Sequence, residues 1–200
     1  LATDTREMYL DAASDWLRMQ SRHTDNFELL AAQGWHQPEV LLQQFERVAR
    51  SDITPSVSTE EQVEASIQRY RDAQSDILKP VFDEMREQLL ASEPEITDAL
   101  INKPKKADER ESRQQEWEVL LGWLNEKAVA EPSPEVGKFI NGNRYRGSDS
   151  LKTLFAPLKQ LVSDVKDMAS EVQKSRSQQL AAIPALTLIL SGITFIRDHV

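Results

Sequence analysis

The residue types suited to metal binding are scarce in this chain. His36 and Glu39, in the sequence HQPE, stand three residues apart and could supply two ligands to a metal ion. Two ligands do not make a site, and His36 falls where a turn between helices is expected, so we interpret it as a capping or surface histidine. His23 lies on an apolar helical stripe beside Phe27 and is interpreted as a partly buried core histidine. No metal or other cofactor is therefore predicted.

The carboxylates are numerous but are spread along stretches such as EEQVE and ADERE, which are typical of solvated helix faces. Paired acid and base catalysis needs two carboxyl groups in contrasting environments within one cleft, and the spacing here does not indicate such a pair. The linear signatures of P-loops, dinucleotide folds, zinc proteases, serine hydrolases and di-iron bundles are absent. These observations favour a non-enzymatic protein, and an enzyme with a motif-free site in a helical bundle stays open as an alternative.

A recognition surface is predicted in the loop 138–148. Arg144, Tyr145 and Arg146 place two cations and an aromatic ring in this loop, and both residue types are enriched in binding hot spots. Trp123 lies beside the apolar stripe of its helix, next to a glycine that leaves room for an approaching surface. We predict that these four residues bind a protein partner, with the loop residues contacting an acidic surface. The competing interpretation of the loop is a polar connector that happens to be basic.

Composition disfavours a nucleic-acid partner and excludes cysteine chemistry. The formal net charge of −9 makes a nucleic acid an unexpected partner, because affinity for a phosphate backbone comes largely from Lys and Arg. The chain has no cysteine, which excludes disulfides and thiolate chemistry. That absence slightly favours the cytoplasm but is also compatible with export. Because the chain begins at Leu1 rather than at Met, we expect processing or truncation at that end.

The first half of the chain predicts three helices. Apolar residues at spacings of three and four predict one helix over 4–34, and a second helix is expected to begin near Pro38. Ser58 and Glu61 have the spacing of a capping box that would open a long third helix. Pro80 lies inside this helix, so a kink or two helices meeting end to end are expected there.

The second half predicts a short helix within SEPEITDAL and another around EWEVLLGWLNEKAV. The pair Asn141-Gly142 is typical of a tight β-hairpin turn. From Ser150, with Pro157 as a possible first turn, apolar residues between 151 and 172 alternate at spacings of four and three over three heptads. This seam predicts a long bundle helix or coiled coil, and it makes a homodimer through 151–172 possible.

The segment 180–196 contains no charged residue. As a continuous helix it would be about 25 Å long, short of the ~30 Å hydrocarbon thickness of a bilayer. Pro184 would shorten it further if it begins the helix. We therefore expect a core helix, apolar on all sides and surrounded by amphipathic ones, and we keep a membrane-associated or membrane-inserting protein as the alternative.

Together these patterns predict an all-α bundle of six to eight helices, with a long heptad-bearing helix and a buried apolar C-terminal helix. One domain is expected over 1–200, with a possible subdivision near 102–108 in the most polar stretch of the chain. The predicted function is that of a non-enzymatic interaction protein, an adaptor or assembly subunit, that binds partners through helix faces and the 138–148 loop.

Overall fold

The computed structural model describes residues 5–102, 109–126, 129–144 and 149–200. Over these residues the chain forms eight α-helices and one π-helical turn and contains no strand. The predicted all-α fold of six to eight helices is therefore confirmed. The elements are α1 (Thr5–Gln20), α2 (Thr24–Ala32), α3 (Pro38–Ala49), α4 (Glu60–Ala91), α5 (Glu93–Ile96), the π-helical turn Thr97–Asn102, α6 (Glu109–Leu124), α7 (Pro134–Phe139) and α8 (Asp149–His199).

The chain divides into two compact units. Unit 1 comprises Leu1–Glu64 and Arg176–Val200, and unit 2 comprises Ala65–Ser175. The boundaries thus fall inside α4 and α8. The polar stretch near 102–108, where a subdivision was considered, belongs to unit 2 in sequence, and its residues 103–108 lie outside the described residues.

In unit 1, α1, α2 and α3 pack around one face of the C-terminal part of α8. The buried side chains of this core are Ala12, Ala13, Trp16, Leu17, Leu30, Leu41, Leu42, Ala49, Ile189, Ile193 and Ile196. Removing this much apolar surface from water is the main favourable contribution to folding of the unit. The apolar C-terminal segment is confirmed as a helix that contributes to the core.

The expected single helix over 4–34 is wrong, because the structure breaks it between α1 and α2. The amides of Arg22 and His23 bond three residues back, to the carbonyls of Met19 and Gln20, which tightens the turn. His23 then takes an extended backbone conformation as the N-cap of α2. The polar run SRHTDN favours such a cap over a helix interior. His23 is consequently exposed rather than part of the core.

The end of α2 forms as its sequence predicts. Gly34 has a φ of 77°, a left-handed conformation that a residue with a side chain adopts only with strain. The amide of Trp35 donates to the carbonyl of Leu30 at 2.8 Å, and the amide of Gly34 donates to Ala31 at 2.9 Å. These are the two hydrogen bonds of a Schellman motif. Trp35 then packs edge-on against Phe45 of α3, with ring centroids 5.0 Å apart.

The capping box of α4 lies one residue later than predicted. The amide of Thr59 donates to Oε1 of Gln62 at 2.9 Å, and the amide of Gln62 donates to Oγ1 of Thr59 at 3.2 Å. The pair Thr59 and Gln62 thus replaces Ser58 and Glu61. Both pairs have the required spacing, so sequence alone does not choose between them.

Prolines interrupt neither long helix. α4 continues through Pro80, and α8 continues through both Pro157 and Pro184, so the expected separate helix after Pro184 is not formed. Pro80 and Pro184 are exposed. An exposed ring leaves the freed carbonyl four residues back accessible to water, which lowers the cost of the missing hydrogen bond.

In unit 2, α4 to α7 and the first part of α8 enclose a second core. Its largest fully buried side chains include Phe82, Phe139, Phe155, Leu120 and Leu124. The heptad positions Leu151, Leu158, Leu161 and Val165 all belong to this core. A homodimer through 151–172 would therefore have to displace packing that already exists within one chain.

Burial of the 180–196 segment is one-sided, which differs from the expected helix surrounded on all sides. Ala185, Ile189, Ile193 and Ile196 are buried at spacings of four, four and three. The outward positions are occupied by small or hydroxylated residues, among them Thr187. The segment is therefore an amphipathic helix. Its outer face has no charged residue, but it does carry polar groups.

Candidate functional site

Trp123 lies in the core of unit 2, only 4% exposed. Its ring packs against Phe82 with centroids 4.7 Å apart, and its Nε1 donates to the carbonyl of Ala130 at 2.8 Å. Both the apolar body and the polar end of the indole are thus already used within the chain. Contact between Trp123 and a partner would require this part of unit 2 to open.

Arg144 is the described member of the predicted loop triad, and it is partly buried rather than solvated. Its Nη1 donates to Oε2 of Glu116 on α6, whose side chain is 5% exposed. The backbone amide of Arg144 also donates to the carbonyl of Asn141 at 3.0 Å. Arg144 therefore neutralises a buried carboxylate. Tyr145 and Arg146 lie outside the described residues.

The predicted hairpin at Asn141-Gly142 does not form. Lys138 and Phe139, which were expected to precede the turn as strand residues, belong to α7. Oδ1 of Asn141 instead accepts a hydrogen bond from the amide of Asn143 at 3.0 Å, an Asx turn. Burial of Phe139 in the unit 2 core holds this segment in a helical turn.

Metal-ligating side chains do not converge in the described part of the chain, where no group of three or more His, Cys, Asp or Glu could hold an ion. The ring of His36 packs edge-on against Phe27, with centroids 6.0 Å apart. This contact gives the imidazole a packing role.

Shifted pKa values occur at surface pairs. A hydrogen bond from Lys152, followed by its charge, lowers the pKa of Asp149, and a backbone hydrogen bond at the start of α7 lowers the pKa of Glu135. The hydrogen bond to Glu64, followed by its charge, raises the pKa of Arg176. Each shift stabilises the charged form that the group already has at neutral pH. Catalytic acids and bases show the opposite tendency.

The described residues of unit 1 line an apolar pocket of about 350 Å³ that is open to solvent on one side. Its walls come from α3, from the segment 55–58, from the first turn of α4 and from α8. The lining residues are Phe45, Val48, Pro55, Ser56, Val57, Ser58, Val63, Gln179, Ala182, Ile183, Leu186, Ile189, Leu190 and Ile193. A concave, mainly apolar site of this volume is the usual form of a small-molecule site.

We call the segment 53–58, which contributes Pro55 to Ser58 to the lining of this pocket, the covering segment, and one arginine binds its first residue. Nε of Arg197 donates to the carbonyl of Ala49 at 3.1 Å, and Nη2 donates to the carbonyls of Val48 at 2.7 Å and Ile53 at 2.9 Å. Two of these carbonyls belong to the last turn of α3, and that of Val48 also accepts a hydrogen bond from the amide of Ser51 at 3.1 Å. Arg197 therefore holds the end of α3 and the start of the covering segment against α8.

A second feature is an exposed apolar row on α4 in unit 2. Tyr70, Ile77 and Val81 are 48%, 65% and 40% exposed. At 3.6 residues per turn, positions separated by seven and eleven residues lie within roughly 40° of one another around the helix axis. We call these three residues the α4 row. The face that contributes Phe82, Met85 and Leu89 to the core lies roughly 90° around the helix axis from the row, at 3.6 residues per turn.

The chain matches no family model, no curated protein and no solved structure.

Sequence reasoning missed both the pocket and the α4 row. The apolar residues of α4 differ in exposure: Ile67, Phe82 and Met85 are buried, whereas Tyr70 and Ile77 are exposed. Their number is the signal that could have revealed the exposed face, since these apolar residues spread over more of the helix circumference than one narrow buried stripe occupies. The pocket has no linear signal, because its walls come from four separate segments.

Proposed function

We propose that the protein is a non-enzymatic helical interaction protein, an assembly subunit that binds other chains through the α4 row. The observation that carries this proposal is the exposure of Tyr70, Ile77 and Val81 on one narrow face of one helix. Isolated apolar residues are common on surfaces, but an aligned row is typical of a helix that packs against another helix. Spacings of seven and four residues also match the contacts of an antiparallel or parallel helix pair.

A second copy of the chain is the partner that fits this row. Arg69 and Arg71 flank its N-terminal end, whereas Glu84 and Glu87 lie at its C-terminal end. An antiparallel copy centred on Ile77 brings the basic end of each row to the acidic end of the other. Self-complementarity of this kind is what a two-fold symmetric interface requires.

Like charges limit the strength of such an interface. Asp76 lies next to the centre of the row, so two copies bring two Asp76 carboxylates close to the symmetry axis. Repulsion between them opposes association. The three side chains of the row also provide a small contact area compared with stable dimers. A weak, concentration-dependent dimer is therefore the form to be expected.

The absence of cysteine makes the proposal directly testable. In an antiparallel pair centred on Ile77, the variant Ile77→Cys forms a disulfide-linked dimer under mild oxidation. Tyr70→Cys does not link to itself but links to Glu84→Cys when the two variants are mixed. Asp167→Cys, on an exposed position of α8 in unit 2, is the matched control and stays monomeric. Equal crosslinking of Ile77→Cys and Asp167→Cys, or none at all, would overturn a second copy as the partner.

Sedimentation equilibrium supplies an independent measurement. The average mass of the unmodified chain should rise with concentration, and Ile77→Asp should remain monomeric because it buries a charge at the interface. Asp76→Asn should associate more tightly than the parent chain, since it removes the repulsion at the axis. An unchanged mass for all three proteins would contradict the proposal.

The 138–148 loop is retained as a second partner-binding surface. Because Arg144 already pairs with Glu116, recognition there would depend mainly on Tyr145 and Arg146. Replacing these two residues by Ala should weaken capture of an acidic partner without changing the melting temperature. The same loss should occur in the parent chain at high salt, because exposed charge contacts are screened.

Membrane association is the second candidate function. It is favoured by α8, which contains a stretch long and apolar enough to cross a membrane, only 28% of which is buried. The packing of Ile189, Ile193 and Ile196 in unit 1 favours a protein environment instead. Flotation with neutral liposomes distinguishes the two: a membrane protein floats with the vesicles, and an assembly subunit remains at the bottom of the gradient.

A further inference from the structure

We propose that the pocket of unit 1 is a binding site for one uncharged alkyl or acyl chain. This inference is independent of the α4 row, which belongs to unit 2. It assigns a small-molecule ligand to a protein whose proposed function involves only other chains.

The chemistry of the walls excludes a charged group inside the pocket. Among the described residues that line it, none has an ionisable side chain, and only Ser56, Ser58 and Gln179 have polar ones. Burying an ion without a partner costs several kcal/mol or more, so a ligand group enclosed here has to be uncharged. A hydrocarbon chain satisfies this condition along its whole length.

The shape of the pocket favours an elongated ligand. Its wall on α8 extends from Gln179 to Ile193, which corresponds to about 20 Å of helix at ~1.5 Å per residue. If a methylene group occupies roughly the ~30 Å³ of a liquid water molecule, the volume of about 350 Å³ accommodates on the order of ten such groups. A linear chain of about that length, together with a short polar head group, is an elongated ligand of this kind.

Polarity is concentrated toward one end of this wall. Gln179 lies more than three turns before Ile193 on α8, and the wall between them is formed by Ala182, Ile183, Leu186 and further apolar side chains. A hydroxyl or ester head group can therefore lie at the exposed Gln179 end of the wall, in contact with water, while its chain extends toward Ile193. This orientation predicts that neutral alcohols and monoacylglycerols bind.

The covering segment is held by a contact within the chain. Arg197 donates to the carbonyl of Ile53, and Pro55 and Val57 of the same segment line the pocket. Because proline restricts the backbone, the segment loses little further conformational entropy when a ligand binds. A preformed wall of this kind favours a small ligand over a partner helix, which would need the segment to move away.

Titration of the full chain with N-phenyl-1-naphthylamine, a neutral apolar dye, tests the proposal. Its fluorescence should rise with saturation at one dye per chain, and 1-decanol or monodecanoylglycerol should displace it. Leu186→Trp fills the pocket and should weaken dye binding at least tenfold. Thr187→Trp adds the same bulk at the neighbouring, exposed position of α8 and should bind as the parent chain does.

A second filling variant and a folding control distinguish a blocked pocket from a misfolded protein. Ala182→Phe introduces a different side chain on the same wall, and circular dichroism shows whether each variant keeps its helical content. Non-saturable dye binding, or saturable binding that both filling variants retain, would overturn the proposal. So would displacement by an amphipathic peptide but not by decanol, because that result would identify the pocket as a peptide site.

Discussion

The indole of Trp16 lies directly against the backbone of α8 at Gly192. A Cβ atom at position 192 would be 2.8 Å from Cε2 of Trp16, closer than two carbon atoms approach without strain. Trp16 is 2% exposed, so its ring has little space into which it can move. Glycine at this position therefore sets how closely α1 and α8 pack in unit 1.

The substitution Gly192→Ala is expected to destabilise the protein. Overpacking a close-packed core typically costs 1–3 kcal/mol, and the gain from replacing a helical glycine offsets up to about 1 kcal/mol of it. The free energy of unfolding should consequently fall by roughly 1–2 kcal/mol, measured by urea denaturation and followed by Trp fluorescence.

Gly122 provides the matched control for this substitution. It lies inside α6, and nothing is within 4 Å of a Cβ added there. Gly122→Ala should therefore raise the free energy of unfolding by about 0.5–1 kcal/mol through helix propensity alone. Equal changes in the free energy of unfolding at both positions would show that the ring of Trp16 moves to accommodate the added methyl group.

The pair formed by Arg144 and Glu116 is expected to matter for stability. Arg144→Ala leaves a carboxylate that is 5% exposed without its cation, which should cost about 1–3 kcal/mol. Arg18, which pairs with Asp15 on the surface, is the control, and Arg18→Ala should cost less than about 0.5 kcal/mol. Thermal unfolding of the two variants checks the difference.

A double-mutant cycle separates the ion pair from the loss of side-chain packing. Glu116→Gln removes the buried charge, so adding Arg144→Ala to it should cost less than Arg144→Ala costs alone. Additive effects would show that the two side chains are not energetically coupled. The sequence alone predicts instead that Arg144 contacts the acidic surface of a partner.

The sequence predicts the elements better than it predicts their ends. Gly34 and Pro38 terminate and begin helices as expected, because the φ preferences of these two residues act locally. The break at His23 was missed, since the apolar period continues through it and only the polar run SRHTDN opposes the helix. Local patterns of comparable strength compete there, and tertiary packing decides between them.

The sequence predicts the candidate sites less well than it predicts the helices. Arg144 is separated from Glu116 by 28 residues, so no spacing rule could have revealed that the arginine is already paired. The composition of its own helix predicts a partner contact for Trp123, whereas its burial depends on Phe82 of α4. Both features arise from contacts between distant segments, and one sequence without tertiary information does not specify such contacts.

Acid should remove a small contribution of Asp149 to stability. Its pKa is lowered from an ordinary value of 3.8, chiefly by the hydrogen bond from Lys152. A lowered pKa in the folded state stabilises the protein above the unfolded pKa, and this contribution disappears as the pH falls through the folded pKa. Asp149→Asn should therefore melt below the parent chain at neutral pH, and the difference should disappear once the pH falls below the lowered pKa of Asp149. High salt should shrink the difference, because the pair is exposed.

Arg197→Lys is expected to release the segment that covers the pocket. Lysine keeps the charge, but its single ammonium group cannot reproduce the planar fork that reaches the carbonyls of Val48, Ala49 and Ile53. Hydrogen exchange of the amides in 51–59 should accelerate, while the exchange of α1 remains unchanged. Arg50→Lys is the matched control, since Arg50 precedes the same segment but bonds to Glu46 on the surface at 2.5 Å. If the amides in 51–59 exchange at the same rate in both variants, Arg197 does not hold the segment. Other contacts would then keep this wall of the pocket in place.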